Sequence, residues 1–181
     1  MELNTSKETI TNKSAIKIKK RDGRLEDLDI DKIHFVVEEA CEGLAGVSSS
    51  QIEINANIQF YDGMTTKEVQ QILVRSANDL ISLEAPNYQY AAARLLSYDV
   101  RKEAHGQYEY MPLLKLIVRN IKAGVYDRGI VEQYNKVEIK KMNTWIKRER
   151  DLDFTYAGLR QVVDKYLVQD RSSGDLFETP Q

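Results

Sequence analysis

The residues best suited to chemistry are three consecutive cations, Lys19, Lys20 and Arg21, which stand directly before an Asp22-Gly23 pair. Such cations bind phosphate oxygens. Alternating apolar and polar residues flank Asp22-Gly23 on both sides, a pattern typical of a β-hairpin. Because a helical pattern begins at Asp31, the hairpin would bring the lysines close to a helix amino terminus, where unpaired N–H groups favour an anion. The sequence therefore predicts a phosphate-binding corner.

A second helix start could add a hydroxyl group to this chemistry. Thr65 and Glu68 have the spacing of a capping box, and apolar residues follow at helical intervals. If Thr65 is the cap, the hydroxyl of Thr66 is free to donate to a phosphate oxygen. The alternative is that Thr66 is itself a second capping residue. His34 has two interpretations as well, a ligand or an incidental, partly exposed histidine.

Composition limits the class of protein. The 181 residues are 42% hydrophobic and 30% charged, with a net charge of −2, which argues against general nucleic-acid binding. The single cysteine, Cys41, rules out an internal disulfide and a four-cysteine zinc site, and its place on an apolar helical stripe predicts a buried core residue. No apolar run reaches the roughly 20 residues of a membrane span. We expect a cytoplasmic protein without a membrane or nucleic-acid partner.

The elements that position the corner can be outlined from periodicity. Residues 1–13 are polar and aperiodic, which predicts a disordered tail. Residues 52–60 alternate as a strand does, whereas the serines at 48–50 favour a helix cap, so two interpretations of this segment stay open. Pro86 predicts the first position of a helix that runs to about Glu103, with Lys102 in its last turn.

The pattern changes after Gly106, and we place a domain boundary near 104–110. Pro112 predicts the start of one helix. The Asn135–Glu138 capping box predicts a second helix, which carries Trp145 and Ile146, and Thr155 predicts the start of a third. Residues 166–168 and 175–177 look like a hairpin. No helix follows to cover it, so the segment looks like an unfinished domain. The predicted fold class is α+β, mostly helical.

Several short runs, in this order and spacing, resemble the large (alpha) subunit of aerobic class I ribonucleotide reductase. The resemblance covers roughly residues 15–181. Its runs are Lys20-Arg21-Asp22-Gly23, Leu28-Asp29-Ile30-Asp31-Lys32-Ile33-His34, Glu42-Gly43-Leu44, Ile58-Gln59-Phe60-Tyr61-Asp62-Gly63, Ala85-Pro86-Asn87-Tyr88-Gln89-Tyr90-Ala91-Ala92-Ala93-Arg94, Gly106-Gln107-Tyr108-Glu109, Arg150-Asp151 with Phe154, and Lys165-Tyr166-Leu167-Val168.

The resemblance implies an ATP-cone at residues 14–104, a small helical bundle capped by a short β-sheet, followed at 107–181 by an incomplete amino-terminal segment of the catalytic barrel domain. It implies ATP or dATP as allosteric effector with Mg²⁺, a small radical-generating subunit as partner, and a homo-oligomer of large subunits in the full-length protein. The family makes deoxyribonucleotides for DNA synthesis with several cysteines. Because Cys41 matches none of them, we expect this chain to be inactive by itself.

The resemblance also implies a set of nucleotide contacts. In this set the lysines offset phosphate charge, Thr66 donates a hydroxyl, and Glu26 and Asp29 accept from the adenine amino group. Mg²⁺ would be bound by the triphosphate's own oxygens. The implied contacts are Lys20, Glu26, Asp27, Leu28, Asp29, Ile30, Asp31, Lys32, Thr66 and Lys102, with Arg21 as a secondary phosphate contact.

The sequence departs from the family at two positions, and two other functions stay open. Some strongly dATP-inhibited family members carry histidines where this chain has Gln70 and Asp99, and a carboxylate near phosphates would oppose binding, so inhibition by dATP does not follow here. A non-enzymatic ATP-cone regulator is an alternative, although such a repressor would carry a cysteine zinc ribbon. A helical interaction module without a ligand would leave the basic hairpin as a solvated edge.

Overall fold

The computed structural model describes residues 16–181, so the predicted tail at residues 1–13 lies outside the described residues. Helices dominate, and the sheet is small, which confirms the predicted α+β, mostly helical class. The elements are β1 (Lys17–Lys19), β2 (Leu25–Asp27), α1 (Ile30–Cys41), α2 (Ser49–Asn57), β3 (Met64–Thr65), α3 (Thr66–Asn78), α4 (Tyr88–His105), α5 (Leu113–Lys122), α6 (Gly129–Gln133), α7 (Lys136–Asn143), a 3₁₀ helix (Arg148–Asp153) and α8 (Tyr156–Lys165).

The predicted hairpin is present at the expected position. Strands β1 and β2 pair antiparallel, and the turn closes with the Lys20 amide donating to the Arg24 carbonyl at 2.8 Å. Gly23 has a φ of +87°, a left-handed conformation that favours glycine at this point of the turn. The sequence did not predict β3, which pairs parallel with β1 and gives the order β2-β1-β3.

Capping side chains fix the starts of the first helices. Helix α1 begins one residue earlier than predicted, because the Asp29 carboxylate accepts the Lys32 amide. The strand interpretation of residues 52–60 is wrong, because Ser48 caps α2 there. The alternating apolar residues of this segment fall on two faces of the helix. Ile52 and Ala56, which are four residues apart, are buried, whereas Ile54 and Ile58 are 60% and 80% exposed.

Helix α4 is the central element and packs against α1, α3, α8 and the 3₁₀ helix. It begins at Tyr88, two residues after the predicted Pro86, and ends at His105, where Gly106 with φ +69° forms the carboxyl-terminal cap. The apolar core continues from this helix into Leu159, Val163, Leu167 and Leu176. The core therefore passes through the region where we placed a domain boundary, and the division into two domains stays a prediction.

The carboxyl-terminal third differs from the prediction in detail. Helix α7 ends at Asn143, so Trp145, which is 62% exposed, and Ile146 lie beyond it rather than within it. The predicted hairpin is reduced to a bridge between Gln169 and Leu176, with the Phe177 amide donating to the Val168 carbonyl at 3.0 Å. The sequence did not predict α6 or the 3₁₀ helix. Within residues 16–181, no helix has the length and apolar character needed to cross a membrane.

Candidate functional site

The structure brings most of the predicted phosphate-binding corner together in one open cleft. The hairpin forms one side, and the first turns of α1 and α3 and the last turn of α4 form the others. Eight of the predicted residues line it: Lys20, Glu26, Asp27, Leu28, Asp29, Lys32, Thr66 and Lys102. Besides Gln70, the cleft has an apolar floor that was not predicted from the sequence, made by Ile18, Ile33, Val36, Val69 and Leu73. Helical and strand periodicity identified several of these as core residues but gave no sign that they face a cleft.

Three predicted residues do not line the cleft. Ile30 is 52% exposed, and Asp31 is an exposed residue of the first turn of α1. The Arg21 guanidinium donates from Nη1 to the backbone carbonyl of Lys102 at 3.1 Å. Arg21 therefore ties the hairpin turn to the end of α4.

The three lysines of the cleft differ in their partners. Lys20 Nζ lies 3.1 Å from Glu26 Oε2, and Lys32 Nζ lies 2.8 Å from Asp29 Oδ2. Lys102 has no ion pair with any residue of the described chain. Partial burial, followed by the nearby charges of Arg21 and Lys20, lowers the pKa of Lys102. The cleft is thus lined by three lysines and three carboxylates, and Lys102 is the lysine that has no carboxylate partner within the described chain.

Thr66 is the first residue of α3, and its neighbour performs the capping. Thr65 Oγ1 accepts the Glu68 amide at 3.2 Å, and Glu68 Oε2 accepts the Thr65 amide at 2.6 Å, which completes the predicted capping box. The alternative in which Thr66 caps the helix is therefore wrong. The Thr66 side chain lines the cleft at the positive end of the α3 dipole.

The carboxylates of the cleft already have partners. Asp29 Oδ1 accepts the Lys32 amide at 3.1 Å, and contacts with Lys32 lower the pKa of this carboxyl group. Glu26 faces Lys20 through Oε2 and Arg24 through Oε1, the latter at 3.9 Å. Each carboxylate oxygen has two lone pairs, so both groups retain acceptor capacity for a ligand N–H.

The two residues that depart from the family, Gln70 and Asp99, lie in different clefts. Gln70 lines the cleft, and its Nε2 donates to the Leu95 carbonyl at 2.9 Å. Asp99 instead lines a separate cleft beside Arg160. Burial, and next the charge of Glu103, raise the pKa of Asp99. Asp99 is therefore not part of the wall of the first cleft.

The remaining candidate side chains have local roles. His34 Nδ1 lies 2.8 Å from Glu53 Oε1, an α1–α2 contact outside the cleft, so the interpretation as a ligand is not supported by its position. Cys41 is half-buried, and burial raises its pKa to about 11, which leaves the thiol protonated and unreactive. Within residues 16–181, no group of three or more His, Cys, Asp or Glu side chains is placed to hold a metal ion.

The cleft lies in the part of the chain that matches a known family. Residues 16–103 match the family model described as the ATP cone domain. The chain is 44% identical over 164 residues to ribonucleoside-diphosphate reductase 1 subunit alpha of Escherichia coli strain K12, covering 91% of this chain and 22% of that protein.

Two further relatives give the same picture. Ribonucleoside-diphosphate reductase subunit alpha of Haemophilus influenzae is 39% identical over 170 residues, or 94% of this chain and 22% of the relative. The protein of that name from Enterobacteria phage T4 is 40% identical over 168 residues, or 92% of this chain and 22% of the relative. The chain thus spans about a fifth of the length of the curated relatives it matches.

Proposed function

Because this chain contains an ATP cone domain at residues 16–103 and resembles the alpha subunits of ribonucleoside-diphosphate reductase over most of its length, we propose that it is the allosteric region of such a subunit. The cleft between the hairpin and α4 would bind ATP or dATP. We further propose that the cone comprises residues 14–104, and that residues 107–181 are the amino-terminal segment of the catalytic domain.

The observation that carries this proposal is the unpaired Lys102 beside three other cations. Lys20, Arg21 and Lys32 all contribute repulsion that lowers the pKa of Lys102. Such a cluster is suited to an anion, because phosphate oxygens accept charge-assisted hydrogen bonds from these cations. A triphosphate carries several negative charges, and it would relieve the repulsion among all four groups.

Each lining residue has a proposed role. Lys20, Lys32 and Lys102 contact the phosphates, and Thr66 donates its hydroxyl from the first turn of α3. Glu26 and Asp29 accept from the adenine amino group, against the apolar floor. Ile30 and Asp31 would contribute backbone N–H groups of the first turn of α1, which have no partner within the helix. Arg21 would position the turn over the phosphates.

The cleft has a volume of about 120 Å³, which is below the roughly 300 Å³ at which small-molecule pockets usually begin. A nucleotide would therefore widen it, and the hairpin is the element suited to move, since it is held by one short sheet and by the hydrogen bond of Arg21 to the Lys102 carbonyl. The ion pairs of Lys20 with Glu26 and of Lys32 with Asp29 would then be exchanged for ligand contacts.

Magnesium would enter with the nucleotide. The described residues form no carboxylate cluster that could hold the ion alone, whereas Mg²⁺ commonly binds to the phosphate oxygens of its nucleotide. Asp27, which has no proposed role in base recognition, lines the cleft and could interact with waters of such an ion.

At the level of the whole enzyme, we propose a reductase of ribonucleoside diphosphates that works with a small radical-generating subunit and assembles as a homo-oligomer of large subunits. Nucleotide binding in the cone would change that assembly. Because Cys41 is the only cysteine and is held as a thiol, the 181-residue chain should not turn over a ribonucleoside diphosphate even with the small subunit and a reductant.

Titration calorimetry of the 181-residue chain with MgATP, MgdATP and MgGTP tests the proposal. We expect saturable binding of both adenine nucleotides and weaker binding of GTP. A chain that binds none of the three would contradict the proposal and favour the helical interaction module, in which the hairpin cations are only solvated. Equal affinities for ATP and GTP would contradict the proposed role of Glu26 and Asp29 in base recognition.

A further inference from the structure

A second cleft lies on the Arg94–Arg101 face of α4 and is independent of the proposed function. It has a volume of about 240 Å³ and is formed by α1, α4, the segment around Tyr110 and the 3₁₀ helix. Its charged and aromatic lining includes Arg94, Arg101, Arg148, Tyr98, Tyr110 and Asp151. The nucleotide cleft shares none of these residues.

All the buried side-chain polar atoms that lack a hydrogen-bond partner within residues 16–181 belong to residues that line this second cleft. They are Arg94 Nε, Arg101 Nε and Asp151 Oδ1. An unsatisfied buried donor or acceptor costs about 1–3 kcal/mol, so three of them at one place call for a physical explanation. Two N–H donors and one carboxylate acceptor are the groups that a ligand with both acceptors and a donor would satisfy.

The arginines are held rigidly by other contacts. Arg94 Nη1 donates to the carbonyls of Ala40 and Glu42 and so caps the end of α1. The Arg101 guanidinium lies 4.6 Å from the ring centres of Tyr98 and Tyr108. These distances are typical of cation–π contacts, which hold the Arg101 guanidinium in place. The arginines are thus preorganised as donors.

Tyr110 joins the cationic and acidic parts of the cleft. Arg101 lies 4.9 Å and Arg148 lies 4.1 Å from its ring centre, and its hydroxyl donates to Asp151 Oδ2 at 3.2 Å. Asp151 is 2% exposed, and its Oδ1 has no hydrogen-bond partner among the described residues. None of Arg94, Arg101, Arg148 and Asp151 forms an ion pair within the described chain.

We propose that this second cleft binds hydrogen phosphate, with the arginine N–H groups donating to its oxygens and its own P–OH group donating to Asp151. An ionised carboxylate facing an oxyanion requires a proton between them, and hydrogen phosphate carries that proton. Sulfate and the dianion of a phosphate monoester carry none at neutral or higher pH. The site therefore selects free hydrogen phosphate over both.

The pKa of Asp151 sets the pH range in which hydrogen phosphate is preferred over sulfate. Burial raises the pKa of Asp151 to about 6, while the Tyr110 hydrogen bond and two arginines oppose the shift. Above that pH the carboxylate is an acceptor only, and selection against sulfate is strongest. Below it, the protonated acid can donate to sulfate. The charged and titratable groups of the surrounding elements are Glu39, Arg94, Arg101, His105, Tyr110, Arg148 and Glu149.

Nuclear magnetic resonance of arginine Nε–H groups in the 20.8 kDa chain tests the proposal directly. At about pH 8, well above the pKa of Asp151, titration with inorganic phosphate should shift the Arg94 and Arg101 Nε–H signals saturably, and ATP in the first cleft should leave this titration unchanged. Sulfate and phenyl phosphate should bind at least about tenfold more weakly, the size expected for one charge-assisted hydrogen bond.

Two variants separate a binding site from a merely structural cluster. Arg101→Lys keeps the charge but removes the planar N–H edge, and it should weaken phosphate binding about tenfold. Asp151→Asn should bring sulfate within about twofold of phosphate, since an amide can donate to either anion. Arg128→Gln, on the exposed α6 segment, is the matched control and should change neither affinity.

Two results would overturn the proposal. Arginine Nε–H signals that do not move with phosphate would show that the cluster only packs the 3₁₀ helix against α4, with water on the free atoms. Equal binding of sulfate and phosphate by the unmodified chain would show that Asp151 does not select a protonated anion. Thermal melting of each variant shows whether it is folded, and unfolding of Arg101→Lys would leave Asp151→Asn as the deciding variant.

Discussion

Lys67 Nζ lies 3.0 Å from Glu103 Oε2 and joins the first turn of α3 to the last turn of α4. The residues next to this pair in sequence, Thr66 and Lys102, both line the nucleotide cleft. The other oxygen of Glu103 accepts the Leu176 amide at 3.1 Å. The Glu103 carboxylate, whose side chain is only 13% exposed, therefore connects the edge of the cleft with the segment near the carboxyl terminus.

We expect Glu103→Gln to loosen that segment. The substitution removes the charge-assisted hydrogen bond to Leu176 and the ion pair with Lys67, at a cost of about 1–2 kcal/mol. Hydrogen exchange of the Leu176 amide should become faster, while the Ile72 amide in the core of α3 should keep its protection. Asp164→Asn, which breaks an exposed ion pair on α8, is the control. Unchanged exchange at Leu176 would mean that the Glu103 carboxylate does not hold the segment near the carboxyl terminus in place.

Lys20→Ala should weaken ATP binding roughly 10- to 100-fold, because a charge-assisted hydrogen bond is worth about 1.5–3 kcal/mol. Titration calorimetry measures the change, and circular dichroism should show a native fold, since removing one surface lysine changes stability by about 0.5 kcal/mol or less. Lys19→Ala is the matched control, because Lys19, the neighbouring residue at the end of β1, is exposed and lies outside the cleft lining. Equal losses in the two variants would indicate a general charge effect and not a phosphate contact.

Glu26→Ala should reduce selectivity more than affinity. The proposed acceptor for the adenine amino group would be gone, so the ATP and GTP dissociation constants should approach each other. Glu38→Ala removes an exposed carboxylate of α1 that does not line the cleft, and it should change both affinities by the same factor. A preserved ATP/GTP ratio in Glu26→Ala would place base recognition elsewhere.

Features governed by a few neighbouring residues could be predicted from the sequence. The Asp22-Gly23 turn and the Thr65–Glu68 capping box depend on local hydrogen bonds, and both occur as expected. The α2 segment could not be assigned by alternation alone, because burial of Ile52 and Ala56 is decided by packing against α1 and α3.

The second cleft could not be predicted at all. Arg101, Tyr110 and Asp151 lie 9 and 41 residues apart along the chain, and their association depends on how the 3₁₀ helix packs against α4. The position of Arg21 is a similar case. Its sequence neighbours suggested a phosphate contact, whereas its hydrogen bond to the Lys102 carbonyl depends on the meeting of two distant elements.

Asp151→Asn should make the protein more sensitive to acid, because two buried groups near the second cleft titrate with opposite effects. Burial lowers the pKa of His105 from 6.5 to about 4, so the unfolded chain binds that proton first and stability is lost as pH falls from about 6.5 to 4. Burial raises the pKa of Asp151 from 3.8 to about 6, so the folded chain binds that proton first and stability is gained over nearly the same range.

In the unmodified chain these two contributions oppose each other, and in Asp151→Asn only the loss at His105 remains. Between about pH 7.5 and 4.5, the variant should lose about 1–3 kcal/mol more of its free energy of unfolding than the parent does, the equivalent of a shift of one to two pKa units. Urea unfolding at both pH values measures this difference, with Asp164→Asn as the exposed-carboxylate control. Parallel pH profiles for parent and Asp151→Asn would show that Asp151 titrates as an ordinary carboxyl group in the fold.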